Sequence, residues 1–575
     1  MRKHFTWWAL LLLAIAGTLA AQDPQPSQFD ASAAGENVFF DTVDVNLVNL
    51  EVFVTDKKGN PVTGLTQEDF VVFEDKRPVK ITNFFTVEEG RPVLPREPET
   101  VAAAALPVDG VLPETVAPLA MPLDQRLYLV VYVDNFNIRP FNRNRVFRRI
   151  REFLTERLSP DDQVMLVSYD RSLHYRHPFT SQPGAIARAM FELEGMTGSA
   201  LHADSDRRDL LRAIAEADSV GEVAWRVRTY AGSQFNDLAF TIDAMHELID
   251  TLGGLPGRKA LLYVSDGLPA TPGEDLFLAL QRKFDDTTQL SVMQEFNANR
   301  KFSRLAAKAN TNRVTYYTLD AAGLRIPGGS SVEIATAGEA GIASFVDSVY
   351  IRNLQAPLLR LAEATGGQAI INTNDVGKGL TRIARDFQTY YSIGYLPAHS
   401  GDGRYYKVQV KLREKRKGVR VRHREGYRDK PMSDRMSDGA MATLVYGFKD
   451  NPLDVNIKIG QIRPDGEGES SFYLVDIIVE IPIGSIELVR IGDFHIGKAK
   501  VFFAAMDSEG DTSDVSEVPL NLRIPDGDIE TALQQLYPYR VTLRMRRGPH
   551  HLAVGVIDEV GAKKSFLSHR FVVGG

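Results

Sequence analysis

Two carboxylates stand where an open α/β sheet offers ligand chemistry. Leu127 to Val133 is a nearly unbroken apolar run ending in Asp134, and Ala260 to Val264 ends in Ser265-Asp266-Gly267. Such runs read as strands buried on both faces, the texture of a parallel sheet. Ligands of open α/β sheets bind beyond the carboxyl ends of the strands, near the point where strand order reverses. Carboxylates, hydroxyls and water are hard oxygen donors that suit Mg²⁺ or Ca²⁺. The plainer alternative has Asp134 capping a turn and Asp266 opening the loop at Gly267, and it is the one preferred.

Other chemistry leaves little trace. Cysteine is absent, which removes disulfides, thiolate zinc, iron–sulfur clusters, cysteine nucleophiles and a lipidated cysteine together. The 11 histidines are scattered, and His246-Glu247 is followed by Asp250 where a His-Glu-x-x-His motif needs histidine. His550 and His551 are strand neighbours that point to opposite faces. No nucleophile elbow, phosphate-binding loop or dinucleotide fingerprint occurs. Lys plus Arg is 67 against 74 for Asp plus Glu, a net charge of -7, which speaks against general nucleic-acid binding. The basic run Lys411 to Arg428 has Val419 and Val421 between its charges and reads as a hairpin with one wet face. Asp206, Arg207, Arg208 and Asp209 read as a solvated helix face, and Arg143, Arg145, Arg149 and Arg151 as the polar sides of an amphipathic helix. Tyr390, Tyr391, Tyr405 and Tyr406 read as strand packing.

The elements that would position these residues follow from periodicity. With 575 residues, 44% hydrophobic and 25% charged, the chain suits several globular domains. Residues 1–21 carry Arg2 and Lys3, an apolar run Trp7 to Ala16 and small residues to Ala21, the parts of a secretory signal. Residues 43–90 alternate with period two between turns and form a β module. Residues 91–123 are a Pro- and Ala-rich linker. Residues 124–389 alternate strand and helix, with helices at 183–194, 204–218, 235–252, 300–309, 354–365 and 376–388, so a doubly wound, mostly parallel sheet is expected. Residues 268–299 and 325–350 break that alternation as insertions. Strand texture returns at 390–428 and is proposed to complete the β module, the α/β domain being inserted in or flanked by a small β-sandwich. Residues 429–442 are a polar linker, and 443–575 a C-terminal β-sandwich.

Several separated segments, in order, resemble a von Willebrand factor type A protein, and more narrowly the secreted VWFA-related proteins of Acidobacteria. They are Val54-Thr55-Asp56-Lys57-Lys58-Gly59-Asn60-Pro61-Val62, Gly64-Leu65, Glu68-Asp69-Phe70, Val130 to Asp134, Gly257 to Gly267, Ala362 to Gly367, Tyr391 to Tyr395 and Arg424 to Tyr427. The resemblance implies a divalent-metal site built from Asp-x-Ser-x-Ser, a distant Thr and the Asp of a later strand. Matched residue by residue, the acids are Asp134 and Asp266, but the serine positions hold Phe136 and Ile138. Asn137 offers an amide oxygen after a one-residue shift, and Ser233, with Thr229 as competitor, stands for the Thr. The site is therefore degenerate, with Mg²⁺ or another divalent cation as its only cofactor candidate.

The expected function is a non-catalytic, exported binding or adhesion protein, periplasmic, surface-attached or secreted, with no transmembrane segment after signal removal. Its type A rim engages a protein or a cell-envelope or extracellular ligand. The alternatives are a hydrolase-type enzyme with its site in 268–299 or 325–350, and a structural component of the cell envelope.

Overall fold

The computed structural model describes residues 47–93, 126–198, 200–326, 340–414, 416–466 and 472–574. The expected signal segment 1–21 and residues 94–123 of the expected linker lie outside the described residues. Two compact units divide the chain, one holding Val45–Lys430 and the other Pro431–Gly575. The chain is a mixed α/β protein with several sheets, one of them combining parallel strands with an antiparallel edge. Among the described residues no helix is long and apolar enough to cross a membrane.

In the first unit β1 (Val48–Thr55), β2 (Phe70–Glu74), β3 (Arg77–Val79), β4 (Ile81–Glu88) and β5 (Arg91–Val93) come first. The α/β region runs β6 (Leu127–Asp134), α1 (Pro140–Arg157), β7 (Gln163–Tyr169), β8 (Leu173–Thr180), α2 (Pro183–Glu194), α3 (Ala200–Glu216), α4 (Val220–Leu252) and β9 (Arg258–Ser265). It continues through α5 (Glu274–Phe284), α6 (Thr288–Gln294), α7 (Asn299–Thr311), β10 (Val314–Asp320), α8 (Ala340–Thr365), β11 (Ala369–Ile370) and α9 (Val376–Gln388). Strands β12 (Tyr390–Tyr395), β13 (Tyr405–Leu412), β14 (Arg420–Arg422) and β15 (Gly426–Arg428) close the unit.

The central sheet has the order β11-β10-β9-β6-β7-β8. Strands β6, β7, β9, β10 and β11 are parallel, and β8 pairs antiparallel on β7. Every residue of β6, β9 and β10 is buried, which is why those segments read as continuous apolar runs. Leu127, Leu129, Val131 and Val133 pack against Val146, Ile150 and Leu154 of α1, Ile186 of α2 and Ile383 of α9. On the opposite face Thr318 of β10 donates its hydroxyl to the Leu358 carbonyl of α8 at 3.0 Å. Chain order steps from β6 to β7 on one side and to β9 on the other, so the strand order reverses between β6 and β9. Those are the strands that carry Asp134 and lead into Asp266.

Strands from before and after the α/β region share two further sheets, ordered β14-β1-β12-β4-β5 and β15-β13-β2-β3. Leu50 pairs with Ile393, and Val72 with Val410. Leu50, Val52, Phe70, Val72, Tyr391, Ile393, Val408 and Val410 form their common core. The basic run does not fold as a simple hairpin: β14 joins β1 while β15 joins β13. Its charges are met internally, Arg422 by Asp386 at 2.6 Å and Arg424 by the carbonyls of Asn310 and Asn49 at 3.1 and 2.9 Å.

The second unit holds antiparallel strands ordered in two sheets around one core, with Ile477, Val501, Leu520 and Val554 at its centre. Most of residues 429–442, expected as a linker, form helix α10 (Met432–Tyr446). Met432, Met436, Ala440 and Leu444 recur every fourth residue, and Met436 and Ala440 bury against Phe502 and Phe566. The short polar residues between them mask that stripe. Residues Arg91–Val93, expected as linker, instead form β5 on the edge of β4.

Candidate functional site

The carboxyl ends of β6, β9 and β10 deliver three acids, Asp134, Asp266 and Asp320, to one rim. Asp134 is fully buried. Its Oδ1 accepts the Asn137 backbone N–H at 3.0 Å, and its Oδ2 accepts the Asn137 amide at 2.9 Å and the Tyr263 hydroxyl. Burial pushes its carboxyl up to about 6, against the downward pull of Tyr263 and Asn137. Asp134 therefore ties the turn 134–137 to β9, and is not a peripheral group.

Asp266 stands on the far side of that turn. Its backbone N–H donates to the Asn137 carbonyl at 2.9 Å. Its Oδ2 accepts the Arg139 backbone N–H at 3.1 Å and the Asn142 amide at 2.8 Å, whereas its Oδ1 is buried without a partner. Burial raises this carboxyl too, opposed by Asn142 and Arg139. The loop behind it is seated on α8. Pro357 lies inside that helix and has no N–H for the Asn353 carbonyl, which accepts Ala270 N–H at 3.1 Å instead. Leu354 similarly accepts Leu268 N–H at 3.1 Å. Gly267 holds φ at +110°, and a Cβ there would meet Leu354 Cβ at 2.8 Å.

The turn is also held from beneath. Arg143, expected on a polar helix side, is completely buried. It donates to Asn135 Oδ1 and to the carbonyls of Glu194 and Met196, both at 2.8 Å. Arg207, expected in solvent, is buried as well and pairs with Asp275 at 2.7 Å and Asp347 at 3.1 Å. Burial opposes its charge, but Asp275 and Asp347 hold the guanidinium above its usual range. Residues 268–299, read as an insertion, thus form the α8-seated loop, α5, α6 and the approach to α7, with Asp275 a structural acid.

Of the four expected ligands, Asp134 and Asn137 touch, and Asp266 reaches Asn137 through its backbone. Ser233 does not join them. Helix α4 begins at Val220 instead of 235, because Val223, Val227 and Ala231 continue its apolar stripe against Phe277 and Leu280. Ser233 and Thr229 are exposed positions within that helix. The hydroxyl near the turn belongs to Thr241, whose Oγ1 is 3.4 Å from the Asn137 amide and donates to the Asp237 carbonyl at 3.0 Å. A threonine on the Leu238–Ile242–Met245 stripe was the available signal. Asp320 was equally legible as a third strand-end acid.

The donor set does not fit a divalent cation. Phe136 packs edge-on against Tyr169, Ile138 is buried, and Asp134 spends both oxygens on hydrogen-bond donors. Asn137 presents its amide N–H groups, not its oxygen, to Asp134. A cation needs several converging oxygens, and of the oxygens of Asp134 and Asp266 only Asp266 Oδ1 lacks a donor. A separate group, His399, Asp402 and Asp429, places metal-capable atoms within 4.8 Å of one another in the flanking β sheets. There His399 bonds Asp429 at 2.7 Å and Glu74 at 3.2 Å and stacks on Tyr406 at 3.6 Å.

No family model matches the chain, and no curated protein matches it. Solved structures similar to it include a von Willebrand factor type A protein from Catenulispora acidiphila, at 9% identity and TM-score 0.22, covering 78% of this chain and 66% of that one. An aerotolerance-related membrane protein from Bacteroides fragilis matches at 14% identity and TM-score 0.23, covering 46% and 98%. BatB from Bacteroides thetaiotaomicron matches at 11% and 0.21, covering 46% and 98%. At these scores the likenesses carry no argument.

Proposed function

We propose that the α/β region is a type A-like domain and that this protein is an exported, non-catalytic binding or adhesion protein. Its rim engages a protein partner without a divalent cation. The observation that carries the reading is the rim's composition. A turn locked by Asp134 and Arg143 stands beside large apolar side chains in solvent: Phe141 is 78% exposed, Leu324 56% and Ile326 77%. Phe141 lies in the first turn of α1, which follows β6, and Leu324 and Ile326 lie in the loop after β10. Arg145 of α1 donates to the Ala321 carbonyl at 2.6 Å, so the two apolar groups share a braced surface. A rigid base under exposed apolar anchors suits partner docking.

The test is capture of envelope or extracellular proteins on the full mature chain in EDTA, followed by binding measurements on the recovered partner. Phe141→Ala with Leu324→Ala should weaken that binding at least ~10-fold, the scale of a lost anchor, with the melting curve unchanged. Binding that needs Mg²⁺ or ignores both substitutions would overturn the reading.

A further inference from the structure

We propose that the rim accepts an acidic side chain of its protein partner in an arginine-lined cavity. The proposal rests on the docking reading above and names the chemistry of the ligand. The cavity, about 290 Å³, is bordered by Arg325 from the loop after β10, Asn372 from the turn after β11, and Ile351, Arg352, Gln355 and Leu359 from α8. A space at the low end of the ~300–1,000 Å³ range of ligand pockets admits one side chain more readily than a whole cofactor.

Its polar atoms are mostly donors. Asp320 is the acid already present, and its oxygens are taken by Ala322 N–H at 3.1 Å, Arg325 Nη2 at 2.8 Å and Gln355 Nε2 at 2.8 Å. Gln355 also donates to Asn372 Oδ1 at 2.9 Å, which orients that amide and leaves its N–H groups to offer. Arg325 Nε is buried and has no partner. Arg352 makes no hydrogen bond or ion pair among the described residues, although its charge reaches Glu274. Two guanidiniums and an amide around one carboxylate whose two oxygens are both engaged call for a second acceptor, and a planar carboxylate matches the guanidinium fork.

The same Arg325 ties the cavity to the rest of the rim by donating to the Asp266 carbonyl. Ile351 and Leu359 line its wall, and Leu324 and Ile326 stand exposed beside Arg325. Apolar flanks serve a peptide that carries the acid, and a free oxyanion gains nothing from them.

Peptides selected from a random display library on the full chain in EDTA provide the test. The expected result is a shared Asp or Glu whose amide replacement weakens binding at least ~10-fold. Arg352→Gln, a change at an exposed residue, should cost as much, and Arg352→Lys should restore part of it. Binding that survives both the amide swap and Arg352→Gln overturns the proposal. If such binding still falls with Phe141→Ala or Leu324→Ala, rim docking stands without the acid; if it ignores those as well, both fail. Displacement by inorganic phosphate combined with indifference to the amide swap assigns the cavity to a free oxyanion and also overturns it.

Discussion

Glu74 in the flanking β sheets and Asp266 on the rim are both carboxylates drawn away from water, and they are treated differently. Glu74 has both oxygens engaged, Oε1 with His399 at 3.2 Å and Oε2 with the hydroxyls of Tyr395 and Tyr427, each at 2.7 Å. Asp266 has two donors on Oδ2 and none on Oδ1. Arg325 next to it likewise keeps a buried Nε unpaired. A polar network with every group met holds strands together, whereas one left partly open costs stability and is retained where a ligand completes it. The Glu74 cluster is of the first kind and the Asp266–Arg325 pair of the second.

That contrast can be broken most sharply at Glu74. Glu74→Ala leaves His399 bonded to Asp429 and takes the acceptor from two buried hydroxyls, and should cost roughly 3 kcal/mol, read from the urea midpoint. Asp266→Asn keeps an oxygen for Arg139 and Asn142 and should cost under about 1 kcal/mol. Equal losses would erase the distinction.

Asp134 gives the next effect, through pH. Its folded carboxyl titrates near 6 against the ordinary 3.8, so the native state holds the proton more tightly than the unfolded chain. Its contribution is fully present below about pH 4 and is lost as pH rises through 6, by up to about 3 kcal/mol. Asp134→Asn should remove that decline, making the difference from wild type grow in the variant's favour between pH 4 and 7. A difference independent of pH would contradict the burial argument. Smaller again, Gly267→Ala should cost about 1–3 kcal/mol, because alanine resists φ of +110° and meets Leu354. Thermal melting checks it, and a neutral result would mean that the loop is not seated on α8.

The strand-end acids and the alternation of strands and helices were legible because both-face burial leaves unmistakable apolar runs. The buried arginines were not. Arg143 and Arg207 sit between polar neighbours, and only the carbonyls of Glu194 and Met196, or Asp275 and Asp347, distant in sequence, draw them inward. The helix expected at 354–365 runs from Ala340 as α8, and Pro357 is accommodated inside it because Ala270 takes the carbonyl that the proline frees. Ser233 failed for a related reason: the length of α4 depends on packing against α5, which local sequence does not reveal.

Calorimetric titration of the full chain with Mg²⁺ and then Mn²⁺ reaches the core of this account. The locked Asp134–Asn137 turn predicts no saturable heat. Binding at micromolar to millimolar affinity, abolished by Asp134→Asn with Asp266→Asn in a chain that still melts cooperatively, would mean that the rim is a metal centre after all.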